Sequence, residues 1–256
     1  LKERAKLLRE TITKYRTVQH EQDISLISPE ALDSLKQEIA ELEAKYPELV
    51  TPDSPTQVVA GAPAPFLRKV KHAVTQWSFN DAFTEEDIVA FDTRVRKMSG
   101  GVPSYDLELK IDGLKIVLTY ERGILMTAAT RGDGTVGEDV THNIRTIASV
   151  PQKLSRPINV VVEGEVYLTR SGFAELNRKR RSMGEEEFAN PRNAAAGSIR
   201  QLDPKVAADR PLGVFFYDVA QTSEAFPPSQ SEELEYLAKL GFPVNPEHAH
   251  VETVID

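Results

Sequence analysis

The chain has 256 residues, no cysteine, and 39 acidic against 31 basic side chains, for a net charge of −8 at pH 7. That length suits one sizeable domain plus a small one, and the lack of cysteine excludes a cysteine-built zinc finger within these residues. The acidic balance is awkward for a protein whose affinity comes from nucleic-acid phosphates. The sequence has neither a leading hydrophobic signal nor an apolar run able to span a bilayer, so the expectation is a cytoplasmic setting with no membrane partner.

Ala5, Leu8, Ile12 and Tyr15 predict an amphipathic helix over residues 2–17. Ser28-Pro29-Glu30 opens a second, with Leu32, Leu35, Ile39 and Leu42 on one side. Pro, Gly, Ser and Thr then concentrate over residues 52–65, which divides the chain into a helical domain with its linker at 1–62 and a larger domain at 63–256. Beyond the linker, helices are expected near 85–97, 139–147, 171–182, 191–201 and 231–240, with a central strand from Pro211 to Tyr217. Grouped strands and antiparallel hairpins at Gly123 and Gly132 predict an α+β fold rather than a doubly wound sheet.

The densest chemistry is Glu108-Leu109-Lys110-Ile111-Asp112-Gly113. Alternation over residues 105–119 predicts one half-buried strand with Glu108, Lys110 and Asp112 on the same face, and Gly113 lets backbone or ligand approach that face. A lone lysine between acids is more often a solvated one. A lysine nucleophile must lose its proton, and carboxylates beside it favour the ammonium, so chemistry here needs further positive charge near a substrate phosphate.

Such charge follows in Thr130-Arg131-Gly132-Asp133-Gly134-Thr135. Gly132-Asp133-Gly134 is a turn signal in its own right, and Arg131 at the strand end holds a guanidinium beside a glycine-rich backbone that could meet an anion. Asp139 or Thr141 would cap the next helix, on which His142 carries little weight. In the strand over 159–168, Glu163 and Glu165 share one face and Val162, Gly164 and Val166 the other; glycine beside an acid in a β-branched strand suits a ribose hydroxyl or an ordered cation. Asn190 caps a helix with Pro191 in its first turn, and Ala194-Ala195-Ala196-Gly197 permits close packing. Arg192 and Arg200 stand about a quarter turn apart on it. Arg178-Lys179-Arg180-Arg181 reads first as a solvated helix face.

In this order and spacing the motifs resemble the bacterial NAD-dependent DNA ligases, within the covalent nucleotidyltransferases. The resemblance rests on S-F-N-D-A-F from Ser78, E-L-K-I-D-G, T-R-G-D-G-T-V-G-E-D-V-T-H-N, E-G-E-V and F-A-N-P-R-N-A-A-A-G-S-I-R-Q-L-D-P from Phe188, and it covers most of the chain from residue 40 onward. It implies a helical nicotinamide-side domain followed by an adenylation domain with antiparallel-rich sheets. Lys110 would attack the α-phosphorus of NAD, expel nicotinamide mononucleotide and carry AMP to a DNA 5′-phosphate, with Asp112 as the acid beside it. Glu108 would meet adenine, Ser78 and Phe79 line the nucleotide pocket, and Arg131 and Glu165 hold phosphate and ribose. Arg192 and Arg200 would serve nicked double-stranded DNA, weakly in this chain alone. Magnesium is expected from phosphoryl-transfer chemistry, with no residue assigned as its ligand.

Two departures accompany the resemblance. Of the residues expected to grip the nicotinamide half, His20 and Asp33 match, whereas Gln19, Pro29 and Leu32 stand where two aromatics and an acid are usual. The D-G-V-V-x-K strand that would complete the pocket has no counterpart after Leu212, so the chain reads as a fragment of a longer protein. An adenylating enzyme is therefore weighed against a nucleotide-binding module with a degenerate nicotinamide site.

Overall fold

In the computed structural model, which describes residues 1–22, 26–51, 54–56 and 67–254, two amphipathic helices open the chain: α1 (Lys2–Gln22) and α2 (Pro29–Lys45). The apolar stripe read from the sequence is their contact. Ala5, Leu8 and Ile12 are buried against Ile39 and Leu49, with Leu32, Leu35 and Leu42 packed around them; each buried aliphatic side chain contributes about 2 kcal/mol. Ser28 caps α2 through the Ala31 N–H. Glu43, on the inner side of α2, accepts from Ser54 Oγ at 2.7 Å and Thr56 Oγ1 at 2.5 Å, which ties the following segment to the pair. Most of the expected boundary at 52–65 lies outside the described residues.

The larger part is α+β, with β1 (Lys69–Lys71), α3 (Glu85–Ser99), β2 (Tyr105–Glu108), β3 (Leu114–Glu121), β4 (Ile124–Thr130), β5 (Val136–Glu138), α4 (Thr141–Ile144), β6 (Val160–Leu168), α5 (Arg170–Ser182), α6 (Pro191–Ile199), α7 (Pro204–Ala208), β7 (Leu212–Thr222), α8 (Gln230–Leu240) and β8 (His248–Val251). Every strand pairing is antiparallel: a four-stranded sheet in the order β4-β3-β6-β7, and the two-stranded pairs β1-β5 and β2-β8. Leu114, Ile116, Leu118 and Tyr120 alternate onto one face, join Val160, Val162 and Val166, and bury against Ile144, Ile199, Leu237 and Leu240 from the helices. The opposite face carries Lys115, Glu163 and Glu165.

The β3–β4 connection is the expected hairpin. Glu121 pairs with Ile124, and Arg122 and Gly123 both have positive φ (48° and 76°), the conformation of a two-residue turn that follows strand twist.

Three expectations are corrected. The strand over 105–119 is two strands in different sheets, interrupted from residue 109 to 113, because the chain must cross from the β2–β8 pair to β6. Leu109 is 59% exposed, so no core enforces the alternation there. The helix over 139–147 shrinks to the single turn of α4. Gly137 and Glu138 are taken up in β5 by pairing with Val70 and Lys69, and Asp139 accepts from the Thr141 N–H as a turn residue rather than a helix cap. β7 runs on to Thr222 and lies at the sheet edge, not its centre.

Candidate functional site

Lys110 stands in the irregular crossing between β2 and β3, exposed, with its Nζ donating to the Ile111 carbonyl at 3.2 Å. The crossing is held on both sides. Glu108 ends β2 and accepts from Gln230 Nε2 of α8 at 2.8 Å. Asp112 accepts from Arg192 Nη1, in the first turn of α6, at 2.9 Å. The Gly113 N–H donates to Glu165 Oε1 at 3.2 Å. Glycine is required at 113 because a Cβ would lie 2.1 Å from the Val166 carbonyl oxygen. The close approach expected there is thus made by the β6 backbone. Glu108, Lys110 and Asp112 do not share a strand face; they take three different partners at one mouth.

Glu165 is 3% exposed. Burial pushes its carboxyl above the usual range, opposed by the positive charges of Lys110 and Arg192. Partial desolvation likewise pushes Glu108 up, opposed by the Gln230 hydrogen bond. Phe215 lies across from Glu165 in the β6–β7 register and stacks on Tyr167 with ring centroids 5.0 Å apart. Burial, with Glu165 as the nearest carboxylate in effect, holds the Tyr217 hydroxyl in its neutral form. An amine, an arginine and a buried acid therefore converge at the end of an aromatic-lined sheet face. Such a set can bind an anion beside a nucleophile and accept hydrogen bonds from a hydroxylated ring.

Arg131 follows β4 and donates from Nη1 to Ser78 Oγ at 3.1 Å, which ties the segment of Ser78 and Phe79 to that end of the sheet, and its positive charge reaches Tyr217. Arg192 and Arg200 part company. Arg192 is half-exposed beside Asp112, whereas Arg200, the residue ending α6, is 8% exposed and turned inward, with its Nε 3.7 Å from Glu138 Oε1. The quarter-turn spacing held no information about that, because Arg200 has left the helix and Glu138 comes from β5. Asp33 is exposed and paired with Lys36 Nζ at 3.0 Å, and the same Nζ reaches Asp81 Oδ2 at 3.4 Å. His20, Gln19 and Pro29 have side chains outside the described residues.

Sequence reasoning missed Lys115, Asp218, Gln230 and Glu233. Lys115 pairs with Glu163 at 2.5 Å, and its parity in β3, opposite that of Leu114 and Ile116, is a signal that could have found it. Asp218 faces Glu163 across β6–β7. Gln230 and Glu233 come from α8, distant in the chain, and carry no local signal.

No group of three His, Cys, Asp or Glu among the described residues is placed to hold a metal ion. No helix among them is long and apolar enough to cross a membrane.

Residues 65–256 match the family model described as the NAD-dependent DNA ligase adenylation domain, and residues 1–60 match that of the DNA ligase-like, N-terminal NAD+-binding domain. Curated relatives include a DNA ligase of Latilactobacillus sakei subsp. sakei (strain 23K), 47% identical over 94% of this chain and 36% of the relative. DNA ligases of Shouchella clausii (strain KSM-K16) and Anoxybacillus flavithermus (strain DSM 21510 / WK1) are 50% and 49% identical, over 88% and 97% of this chain and 33% and 37% of their own. The chain spans about a third of the length of the curated relatives it matches.

Proposed function

The chain belongs to the NAD-dependent DNA ligase family, and on that premise we propose that it accepts AMP from NAD on Lys110 and passes it to a 5′-phosphate in nicked DNA. The observation that carries this reading is the crossing itself: Lys110 lies between Asp112, bonded to Arg192, and Gly113, bonded to the buried Glu165. In the first step the unprotonated Nζ attacks the α-phosphorus. A P–N bond forms, the P–O bond to nicotinamide mononucleotide breaks, and the leaving phosphate takes the electron pair while the amine's proton passes to solvent.

The donor set fits that substrate. Arg192, steadied by Asp112, brings positive charge to the phosphate side. Glu165 is proposed as the acceptor for ribose hydroxyls, since a buried carboxyl with one backbone N–H bonded to it has lone pairs left for further donors. Glu108 is proposed for adenine, with Ser78, Phe79 and Arg131 along the pocket edge. Asp33 and His20 are proposed for the nicotinamide half. Arg192 is the α6 arginine proposed to meet DNA, whereas Arg200, assigned to DNA by resemblance, is proposed to act there only by holding Glu138 and the turn after β4. Magnesium, expected from the chemistry, has no cluster of three His, Cys, Asp or Glu to hold it among the described residues. The matches to both ligase domains do not favour the non-catalytic alternative.

The test is the intact mass of the chain after incubation with NAD and magnesium, beside a Lys110→Ala control. A gain of one AMP by the parent alone is expected. No gain by either would overturn self-adenylation by this chain.

A further inference from the structure

Trp77, the chain's single tryptophan, is 77% exposed, and Phe79 two residues on is 74% exposed. Large aromatic side chains cost free energy when left in water, and two at one place mark a binding surface more often than chance. Their location is unusual. Between them, Ser78 accepts from Arg131 at 3.1 Å, which ties the segment to the residue that follows β4. Just beyond, Asp81 lies 3.4 Å from Lys36 Nζ, which also holds Asp33 at 3.0 Å. The segment therefore touches both parts of the molecule: the adenylation domain through Ser78, and the helical pair, matched to an NAD+-binding domain, through Asp81.

We propose that Trp77, supported by Phe79, is the stacking platform for a cationic aromatic ring, the nicotinamide of NAD. The inference rests on the reading of the chain as an NAD-using ligase domain. A positively charged ring placed on an indole face gains both stacking and cation–π attraction. Asp33 and Asp81, tied together by Lys36, add carboxylates near the same junction. Leu32 and Gln19 of the helical pair offer no aromatic face, so the ring of the substrate finds one on this segment instead.

Because Trp77 is the only tryptophan, its fluorescence reports on one site. The protein is titrated with nicotinamide mononucleotide, with NAD and with AMP, corrected for absorption with free N-acetyltryptophanamide, and AMP gain on Lys110 is followed by mass in parallel. Saturable quenching by nicotinamide mononucleotide and NAD but not by AMP is expected. So is a rise in the KM for NAD of about fivefold to thirtyfold in Trp77→Ala, with kcat little changed and most of the loss recovered in Trp77→Phe. AMP gain without quenching, and with an unchanged KM in Trp77→Ala, would overturn the platform while leaving the adenylation reading intact. Quenching without AMP gain would do the reverse, and failure of both would remove both. Trp77 is exposed and packs no core, so its variants keep the fold, which circular dichroism checks.

Discussion

Asp218 and Glu233 sit behind Glu163, at the β7 edge that α8 covers. Burial first, then repulsion from Glu163, pushes Asp218 up to about 6. Burial and Asp218 push Glu233 up to about 7, and the carboxylate of Glu108 adds to the repulsion. Lys115 is the cation facing this group, at 2.5 Å from Glu163, and the Val219 N–H donates to Glu233. The two acids titrate as a pair. A carboxyl whose pKa is raised by folding takes up a proton on folding, so its contribution is complete below about pH 4 and is lost as the pH rises through about 6 to 7. Glu233→Gln removes that ionisation but keeps an acceptor for Val219. Between about pH 5 and pH 8 the Tm of the parent is expected to fall more steeply than that of Glu233→Gln. Thermal unfolding followed by circular dichroism across that range decides it, and equal slopes would show that Glu233 takes up no proton on folding.

At the scale of elements, the crossing from β2 to β3 turns on Gly113. Alanine there sets a methyl group 2.1 Å from the Val166 carbonyl, and that neighbour is backbone in the middle of a sheet, which cannot swing aside. Gly113→Ala should therefore lose about 1–3 kcal/mol and also weaken AMP transfer, because the shift displaces the N–H that Glu165 accepts and the residues on either side of it. Denaturant melts and the AMP mass gain are read together; a stable variant with full AMP gain would show that the crossing tolerates the displacement. The same element marks where sequence reading ended. Helices α1 and α2, the β3–β4 hairpin and the two-faced pattern of β6 were legible because each is set by local periodicity, a cap or a turn pair. Lys110, Asp112 and Glu165 were singled out as candidates by two short motifs, with their roles given by the resemblance. The strand break was not legible, because Leu109 and Ile111 keep the alternating pattern while the reason for the break, the pairing of β2 with β8 and of β3 with β6, lies in strands distant in the chain. Nor was the inward turn of Arg200, whose partner Glu138 belongs to a strand made only by pairing with β1.

For the molecule as a whole, charge decides how it meets DNA. A net charge of −8 opposes a polyanion at long range, and the basic run on α5 does little to offset it. Lys179 lies 3.6 Å from Glu175, Arg180 2.9 Å from Glu185 and Arg181 2.7 Å from Glu187, so these cations already have carboxylate partners. Arg192 in α6 is half-exposed and held by Asp112 through one nitrogen only, whereas Arg200 beyond the helix is buried against Glu138. Few phosphates can then be neutralised, and the affinity gained by releasing their counterions is correspondingly small. The expected result with a nicked duplex is weak binding, with a Kd of about 10⁻⁴ to 10⁻⁶ M at physiological salt and a log–log salt slope of only about −2 to −3. Fluorescence anisotropy over a salt series measures both. Arg192→Ala, removing a cation that gives Asp112 a single hydrogen bond, should lower the slope by about one, whereas Arg181→Ala, removing one held by Glu187 through two, should leave it nearly unchanged. A tight complex with a steep slope would mean that the paired arginines of α5 release their carboxylates to meet phosphate, and Arg181→Ala would then flatten it as well.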